Sequence, residues 1–300
     1  MSNALSGWWA EFFQPGLFAA SLAEASETGV ATTDPSPAGE QFLMILMGVG
    51  LLAFLPWVGS CLIRPRKLLL DDAPGRPNTL NPVSFLFVFF GWSLMVLLFA
   101  HGSSYLLGLD KSHATLLGTL LGQCVGIAMA LLVAHFQFRF GIRNGLGLRL
   151  RHWKFDLVRG GAGFLIIFPV CLGLSILMSH IVPIDQQETH PLLGALATMT
   201  WPWKLCIVAA AVILAPLLEE ILFRGLLQSM LRRFVTPKYT VLLSAALFAM
   251  VHFTAEPQAV PALFVLGLAL GYSYERSGRL WRPILLHALF NAVMITAYLL

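Results

Sequence analysis

The sequence predicts an all-α fold: a polytopic membrane helix bundle of about eight transmembrane helices, with its N-terminus outside. Three observations predict it. Hydrophobic residues make up 57% of the 300-residue chain and charged residues 11%, with a mean hydropathy of +0.77; this is more apolar surface than a water-soluble core of that length hides. The apolar residues are gathered into runs near the roughly 20 residues that a hydrocarbon core about 30 Å thick demands of a helix, where backbone groups must also be paired internally. The basic residues, finally, fall almost entirely on one side of the topology those runs define.

In chain order the predicted spans are 42–63, 82–100, 114–136, 160–178, 205–231, 239–253, 262–274 and 283–300, the sixth and seventh being short and closely spaced. Alternate crossings place the loops 64–76, 139–159, 232–238 and 276–282 together. Those four loops hold 16 of the 19 Lys and Arg residues; Lys111 and Lys204 lie on the opposite side and Arg224 lies inside the fifth span. Basic residues flanking spans accumulate on the cytoplasmic side, so that face is the basic one. The segment before Phe42 carries Glu11, Glu24, Glu27, Asp34 and Glu40 with no Lys or Arg, which fits an outside N-terminus. This bias accounts for the net charge of +4, so the charge is no argument for nucleic acid.

The first 41 residues are expected to be an extracytoplasmic tail that is not cleaved, because they lack the positive region and the long apolar run of a signal peptide. Within them Trp8, Trp9, Phe12 and Phe13 are expected at the membrane interface, and 32–39, rich in Pro, Thr and Ser, is expected to be flexible. The four cysteines, Cys61, Cys124, Cys171 and Cys206, all fall in spans without paired spacing, so neither a disulfide framework nor a CxxC metal site is indicated. No Gly-rich phosphate loop, HExxH, GxSxG or internal repeat is found.

Function must then lie with ionisable groups inside the spans, each of which costs about 2.5 to 3.5 kcal/mol on insertion scales. The fifth span contains Glu219, Glu220 and Arg224. Glu220 and Arg224, four apart with the acid first, suit a helical ion pair and a structural role. Glu219 is rotated about 100° away and is left without a partner from that pair. The sixth span offers Phe248 and His252, and the eighth presents His287 and Asn291 on one face four residues apart. Three helices can thus converge on one polar site in which Glu219 and His252 activate water, while His287 and Asn291 donate to a developing oxyanion. Each residue alone has a plainer explanation: packing for a single His, interhelical glue for Asn291. It is the joint occurrence that points to a site. His101, His113, His135, His152, His180 and His190 sit near span ends or in loops and receive no role. Counting about 1.5 Å per residue from the basic loops, Glu219 and His252 lie roughly 18 Å deep but His287 only about 7 Å, a gap that tilt or an earlier start of the eighth helix must close.

Glu219-Glu220 with Arg224 resembles the EExxxR motif, Phe248 with His252 the FxxxH motif, and His287 with Asn291 the HxxxN/D motif of the CAAX prenyl endopeptidase type II and bacteriocin-processing (CPBP or Abi) family of intramembrane proteases. Gly267, Gly271, Tyr274, Arg276, Ser277, Gly278, Leu280, Trp281 and Pro283 resemble the glycine-rich span and basic turn of that family. The resemblance divides the chain into the tail 1–41, a variable four-span region 42–200 and a catalytic membrane core 201–300. It implies an endopeptidase acting on membrane-associated protein or peptide substrates in contact with lipid. Glu219 and His252 would activate water, His287 and Asn291 would form the oxyanion site, and Glu220 and Arg224 would hold the helix in place. No cofactor is expected, with zinc bound by Glu219, His252 and His287 as the alternative. A bacterial inner membrane with the site toward the cytoplasm is expected, and a non-catalytic scaffold or immunity protein is the other function class; a transporter would show paired halves with broken helices.

Overall fold

The structure is a computed structural model, and it describes residues 36–64, 70, 73–181, 196, 199–253 and 257–300. The expectations for Trp8, Trp9, Phe12, Phe13, His190 and 32–35 lie outside the described residues. Eight principal helices follow one another: α1 (Pro37–Ile63), α2 (Pro82–Leu107), α3 (Lys111–Gln137), α4 (Trp153–Ile181), α5 (Trp201–Leu231), α6 (Pro237–Val251), α7 (Val260–Ser277) and α8 (Trp281–Leu299). Among the described residues there is no β-strand, only an isolated bridge between Asn78 and Phe138. The chain is a polytopic helical membrane bundle, and each helix covers one of the spans read from hydropathy. Six are long and apolar enough to cross a membrane. The exceptions are α6, about 22 Å long, and α7, about 27 Å long, at 1.5 Å per residue; they form a hairpin that enters from the basic end and returns to it.

Local chemistry sets the helix ends. α1 begins at Pro37, behind a Ser36 side chain that accepts from the Gly39 N–H at 3.2 Å. The end of the stretch expected to be flexible is therefore helical, because a proline in the first turn behind a serine cap is a helix start. Asn81 caps α2 in the same way, and Asp110 caps α3. Gly108 and Gly278 end α2 and α7 in the left-handed conformation that glycine adopts without steric cost.

The basic loops meet at one end of the bundle. Arg279 and Arg282 both donate to Asp156, which is fully buried in the first turn of α4, with Arg279 Nε at 2.8 Å and Arg282 Nε at 2.9 Å. Glu275, also fully buried, accepts from Arg76 at 3.3 Å, Arg232 at 2.6 Å and Gln228 at 2.9 Å. Asn78 reaches the Ser229 carbonyl at 3.0 Å, and Arg233 donates to the Leu80 carbonyl. These contacts tie 73–81, the start of α4, the end of α5 and the α7–α8 turn together, which is the clustering the basic loops predict.

Within the lipid-spanning part, close packing uses small residues, as is general where the surroundings are as apolar as the helices themselves. A Cβ on Gly118 would sit 2.6 Å from the Ala100 N, and one on Gly122 would sit 2.4 Å from Val96 Cγ2, so α2 and α3 approach through a glycine stripe. Gly160 and Gly163 of α4 likewise face Leu285 and Leu286 of α8, and Gly267 of α7 faces Ala245 of α6. Three apolar clusters result. One surrounds Trp92, Phe223, Phe248 and Tyr274; one joins Phe164 and Phe168 to Leu266 and Leu286; one joins Leu116 to Ile207, Ala211 and Ile295.

Candidate active site

α5 is the helix that carries the site, and it is not a regular α-helix. Its turns run α from Trp201 to Ala209, π from Ala210 to Leu214, α from Ala215 to Glu219 and π again from Glu220 to Gln228. Wide turns of this kind are rare and recur at functional sites. Pro216 gives a local reason for the first. It has no N–H to donate, and the neighbouring Ala215 N–H goes back to the Ala210 carbonyl. The Ala211 carbonyl thereby loses its π-type donor, and in lipid such a group needs another partner. Asn291 supplies it: its Nδ2 donates to Ala211 O at 2.8 Å. One amide N–H of Asn291 is thus committed to joining α8 to α5, and the second N–H is left for other work.

The second π segment carries Glu220 and Arg224, both with fully buried side chains. Arg224 Nη1 donates to Glu220 Oε1 at 2.8 Å, and Nη2 donates to the Gly267 carbonyl of α7 at 3.3 Å. The same Glu220 oxygen lies 2.9 Å from Nδ1 of His287. Glu220 is therefore shared between a guanidinium on its own helix and an imidazole on α8, and the ion pair expected from the spacing has a third member. With Nδ1–H donating to Glu220, the other ring nitrogen, Nε2, is aimed elsewhere; it lies 3.8 Å from Glu219 Oε2. That separation is past hydrogen-bond reach and close enough for a shared water or a reacting atom to bridge.

Phe248 is the hub. Its fully buried ring lies 5.3 Å from the Phe223 ring, 4.9 Å from the His252 ring, 5.8 Å from the His287 ring and 4.5 Å from the Arg224 guanidinium carbon. The cation sits within the range of a favourable contact with the ring face. His252 caps the C-terminus of α6, and its Nδ1 lies 2.7 Å from the Phe248 carbonyl. A donating Nδ1–H leaves Nε2 as an acceptor in the neutral ring. No hydrogen bond or ion pair joins His252 to Glu219 among the described residues.

The residues expected to converge thus come together unequally. Glu219, Glu220, Arg224 and His287 form one chain of contacts; His252 reaches it across Phe248; Asn291 reaches it through the α5 backbone. Burial divides them further. The Glu219 side chain is 18% exposed, against 0% for Glu220 and 5% for His287, and His252 and Asn291 are half-buried. The gap in depth for His287 narrows in two ways. α8 starts at Trp281, two residues before the predicted span, and the π turns of α5 are wider than α turns, so the stretch from Leu231 back to Glu219 covers less depth than 1.5 Å per residue implies.

The zinc alternative can be compared with this geometry. Among the described residues there is no group of three or more His, Cys, Asp or Glu side chains placed to hold a metal ion. His252 and His287 each commit Nδ1 to a carbonyl or carboxylate, an arrangement that leaves Nε2 of each ring for a metal or for a water. Two concavities, of about 320 and 230 Å³, lie at the basic end around Gly75, Arg76 and Pro77, away from these residues.

The buried acids Glu275 and Asp156, which fix the ends of α5, α7 and α8, carried no signal in the motif reading. An acid beside a run of basic residues is the sequence pattern that would have drawn attention to them.

Comparison with known proteins bears on the same stretch. No solved structure matches the chain. A curated relative, "Putative membrane peptidase YdiL" of Bacillus subtilis (strain 168), is 27% identical over 111 residues, which is 37% of this chain and 43% of the relative, so the chain spans less than half of that protein's length. The model of the family described as type II CAAX prenyl endopeptidase Rce1-like matches residues 201–293, and the segment that forms the site is similar to the family its three motifs resemble.

Proposed function

We propose that this chain is an intramembrane endopeptidase that hydrolyses peptide bonds of membrane-associated substrates, with Glu219 as the general base. The observation that carries the reading is the division of the two adjacent glutamates. Glu220 is locked between Arg224 and His287, whereas Glu219, partly exposed, makes no hydrogen bond among the described residues and lies 3.8 Å from the outer nitrogen of His287. A carboxylate kept within a membrane without a committed partner is a functional group by default.

In this reading a water molecule lies between Glu219 and the acceptor Nε2 of His252. Glu219 takes its proton as the oxygen attacks the carbonyl carbon of the scissile bond. The carbonyl π electrons move to oxygen, and His287 Nε2–H with the free N–H of Asn291 stabilise that charge. To donate there while Nδ1–H holds Glu220, His287 carries protons on both nitrogens. The charges of Glu219, Glu220, Arg224 and His287 then sum to zero, as a buried set requires. Collapse of the intermediate breaks the C–N bond, and the proton held by Glu219 passes to the leaving amine. The catalysis needs no cofactor in this scheme.

The relative's printed name and the family's description both support a peptidase, and neither gives the substrate. The basic loops gathered at one end support a cytoplasmic opening of the site in a bacterial inner membrane. The test is to incubate the full chain in liposomes with a library of membrane-derived peptides and to read new termini by mass spectrometry. Cleavage products that disappear with Glu219→Ala support the reading. Identical products with and without Glu219, or no products from the wild type, overturn it.

A further inference from the structure

We propose that Gln123, on α3, belongs to the same site and that its carboxamide hydrogen-bonds the backbone of a bound peptide beside Glu219; this rests on the peptidase reading above. Gln123 is 5% exposed, and its Oε1 is buried with no hydrogen-bond partner. One turn earlier, Thr119 Oγ1 is also buried without a partner. A polar side chain in a span of hydropathy 2.1 is costly unless its groups are paired. Here two adjacent ones are not.

The position on α3 shows where the pair lies. Gly118, Gly122 and Gly126 face Ala100, Val96 and Trp92 of α2. At 100° per residue Gln123 is turned about 100° from Gly122, onto the line it shares with Leu116 and Ala134. Leu116 packs in the cluster with Ile207 and Ala211 of α5, so that line faces α5. Register along the two helices is fixed at both ends. Leu116 lies at the level of Ala211, and the end of α3 at Gln137 is bonded to Thr79, next to Asn78, which reaches Ser229. Gln123 is a third of the way along, and this places it level with the turn Ala215–Glu219, against which α3 packs. The unpaired amide is thus level with the turn that carries the proposed base.

Its chemistry suits the position. A carboxamide offers a donor and an acceptor in one plane, matching the C=O and N–H of an extended peptide strand. A strand held this way is oriented for attack at the neighbouring carbonyl. Asn291 has one N–H committed to Ala211 and its second N–H to the oxyanion in the peptidase reading, whereas Gln123 Oε1 has no partner and can hold substrate. Gln123 makes no bond to Glu219, His252 or His287 among the described residues, and it acts as a positioning group.

The experiment uses the full chain in liposomes and a quenched fluorescent peptide made from the sequence that the wild type cleaves fastest in the library. Gln123→Leu is expected to raise KM about tenfold, the worth of one or two neutral hydrogen bonds, with a smaller change in kcat. Its Tm should hold or rise, because an unsatisfied buried amide has been removed. Ester replacements of single peptide N–H groups supply the second arm. One position should weaken the wild type and have no further effect on Gln123→Leu. A fall in Tm with KM unchanged, no change in either, or ester effects identical in both proteins would overturn the proposal. Such results leave wild-type cleavage, and with it the peptidase reading, intact; a wild type that cleaves nothing fails the peptidase reading instead.

Discussion

The α2–α3 pair and the α5–α8 pair pack side by side in one bundle, and different interactions hold them. α2 and α3 meet through Gly118, Gly122 and Gly126, with a helix surface and no buried charge between them. α5 and α8 meet through a guanidinium, two carboxylates, an imidazole and an amide bonded to a backbone carbonyl. The first pair demonstrates that helices in lipid need only small residues and close contact. The ionisable groups of the second are therefore more than an adhesive. They have been kept where they are costly, and that asymmetry points to chemistry.

Substitutions at the two interfaces should separate these roles. After loss of the Glu219 base itself, the largest effect on rate is expected from His252→Ala. Loss of a group that orients water lowers turnover by roughly a hundredfold to ten-thousandfold, and Tm should stay near the wild type because, among the described residues, the His252 side chain is bonded to the carbonyl of its own helix alone. Kinetics on the quenched peptide with parallel thermal unfolding check this; a large drop in Tm would move His252 to the structural side of the comparison.

The largest effect on stability is expected from Arg224→Ala. Removing the guanidinium leaves the two glutamates with His287 as their remaining counter-charge and takes a donor from the Gly267 carbonyl. Breaking a buried pair of this kind costs about 3 to 5 kcal/mol, so folded protein and activity should fall together in detergent unfolding assays. Activity lost at full stability would mean that Arg224 acts in the chemistry itself.

Gly122→Leu tests the other pair. A Cβ there meets Val96 side chain and backbone, and overpacking of this kind costs about 1 to 3 kcal/mol. Rate per folded molecule should survive, since no polar contact is touched.

A modest effect on stability carries the most specific signature, and it comes with a loss of rate because Asn291 is also an oxyanion donor in the proposed scheme. Asn291→Ala leaves the Ala211 carbonyl unpaired, at about 1 to 3 kcal/mol. Pro216→Ala returns an N–H to the same turn, so the double variant should regain part of the Tm lost by Asn291→Ala. Strict additivity of the two losses would show that Asn291 does not compensate for Pro216.

These residues also mark how far the sequence was legible. Hydropathy located all eight helices because the bilayer imposes a length and a composition on each. It placed the start of α4 late, at 160 instead of Trp153, because the first turns hold Asp156 and basic residues that leave the apolar run yet remain helical through pairing with Arg279 and Arg282. The motif residues were found from charge within the spans, and the ion pair of Glu220 with Arg224 from their spacing. The π turns were not, since a 3.6-residue period was assumed throughout. Pro216 in mid-span was their available signal. The hold of Glu220 on His287 and the seat of Asn291 at Ala211 are tertiary contacts between helices 67 and 80 residues apart, and no local pattern encodes them. Gln123 carries no charge and matches no motif, and a single amide in a span is commonly a contact between helices, so nothing local marks it.

The most direct measurement compares Glu219→Gln with Glu220→Gln in the same liposomes, recording cleavage rate and Tm for each. The account predicts that Glu219→Gln abolishes cleavage at unchanged Tm, whereas Glu220→Gln lowers Tm together with rate. Equal loss of stability in both variants, or a Glu219→Gln protein that still cleaves at near wild-type rate, would contradict it.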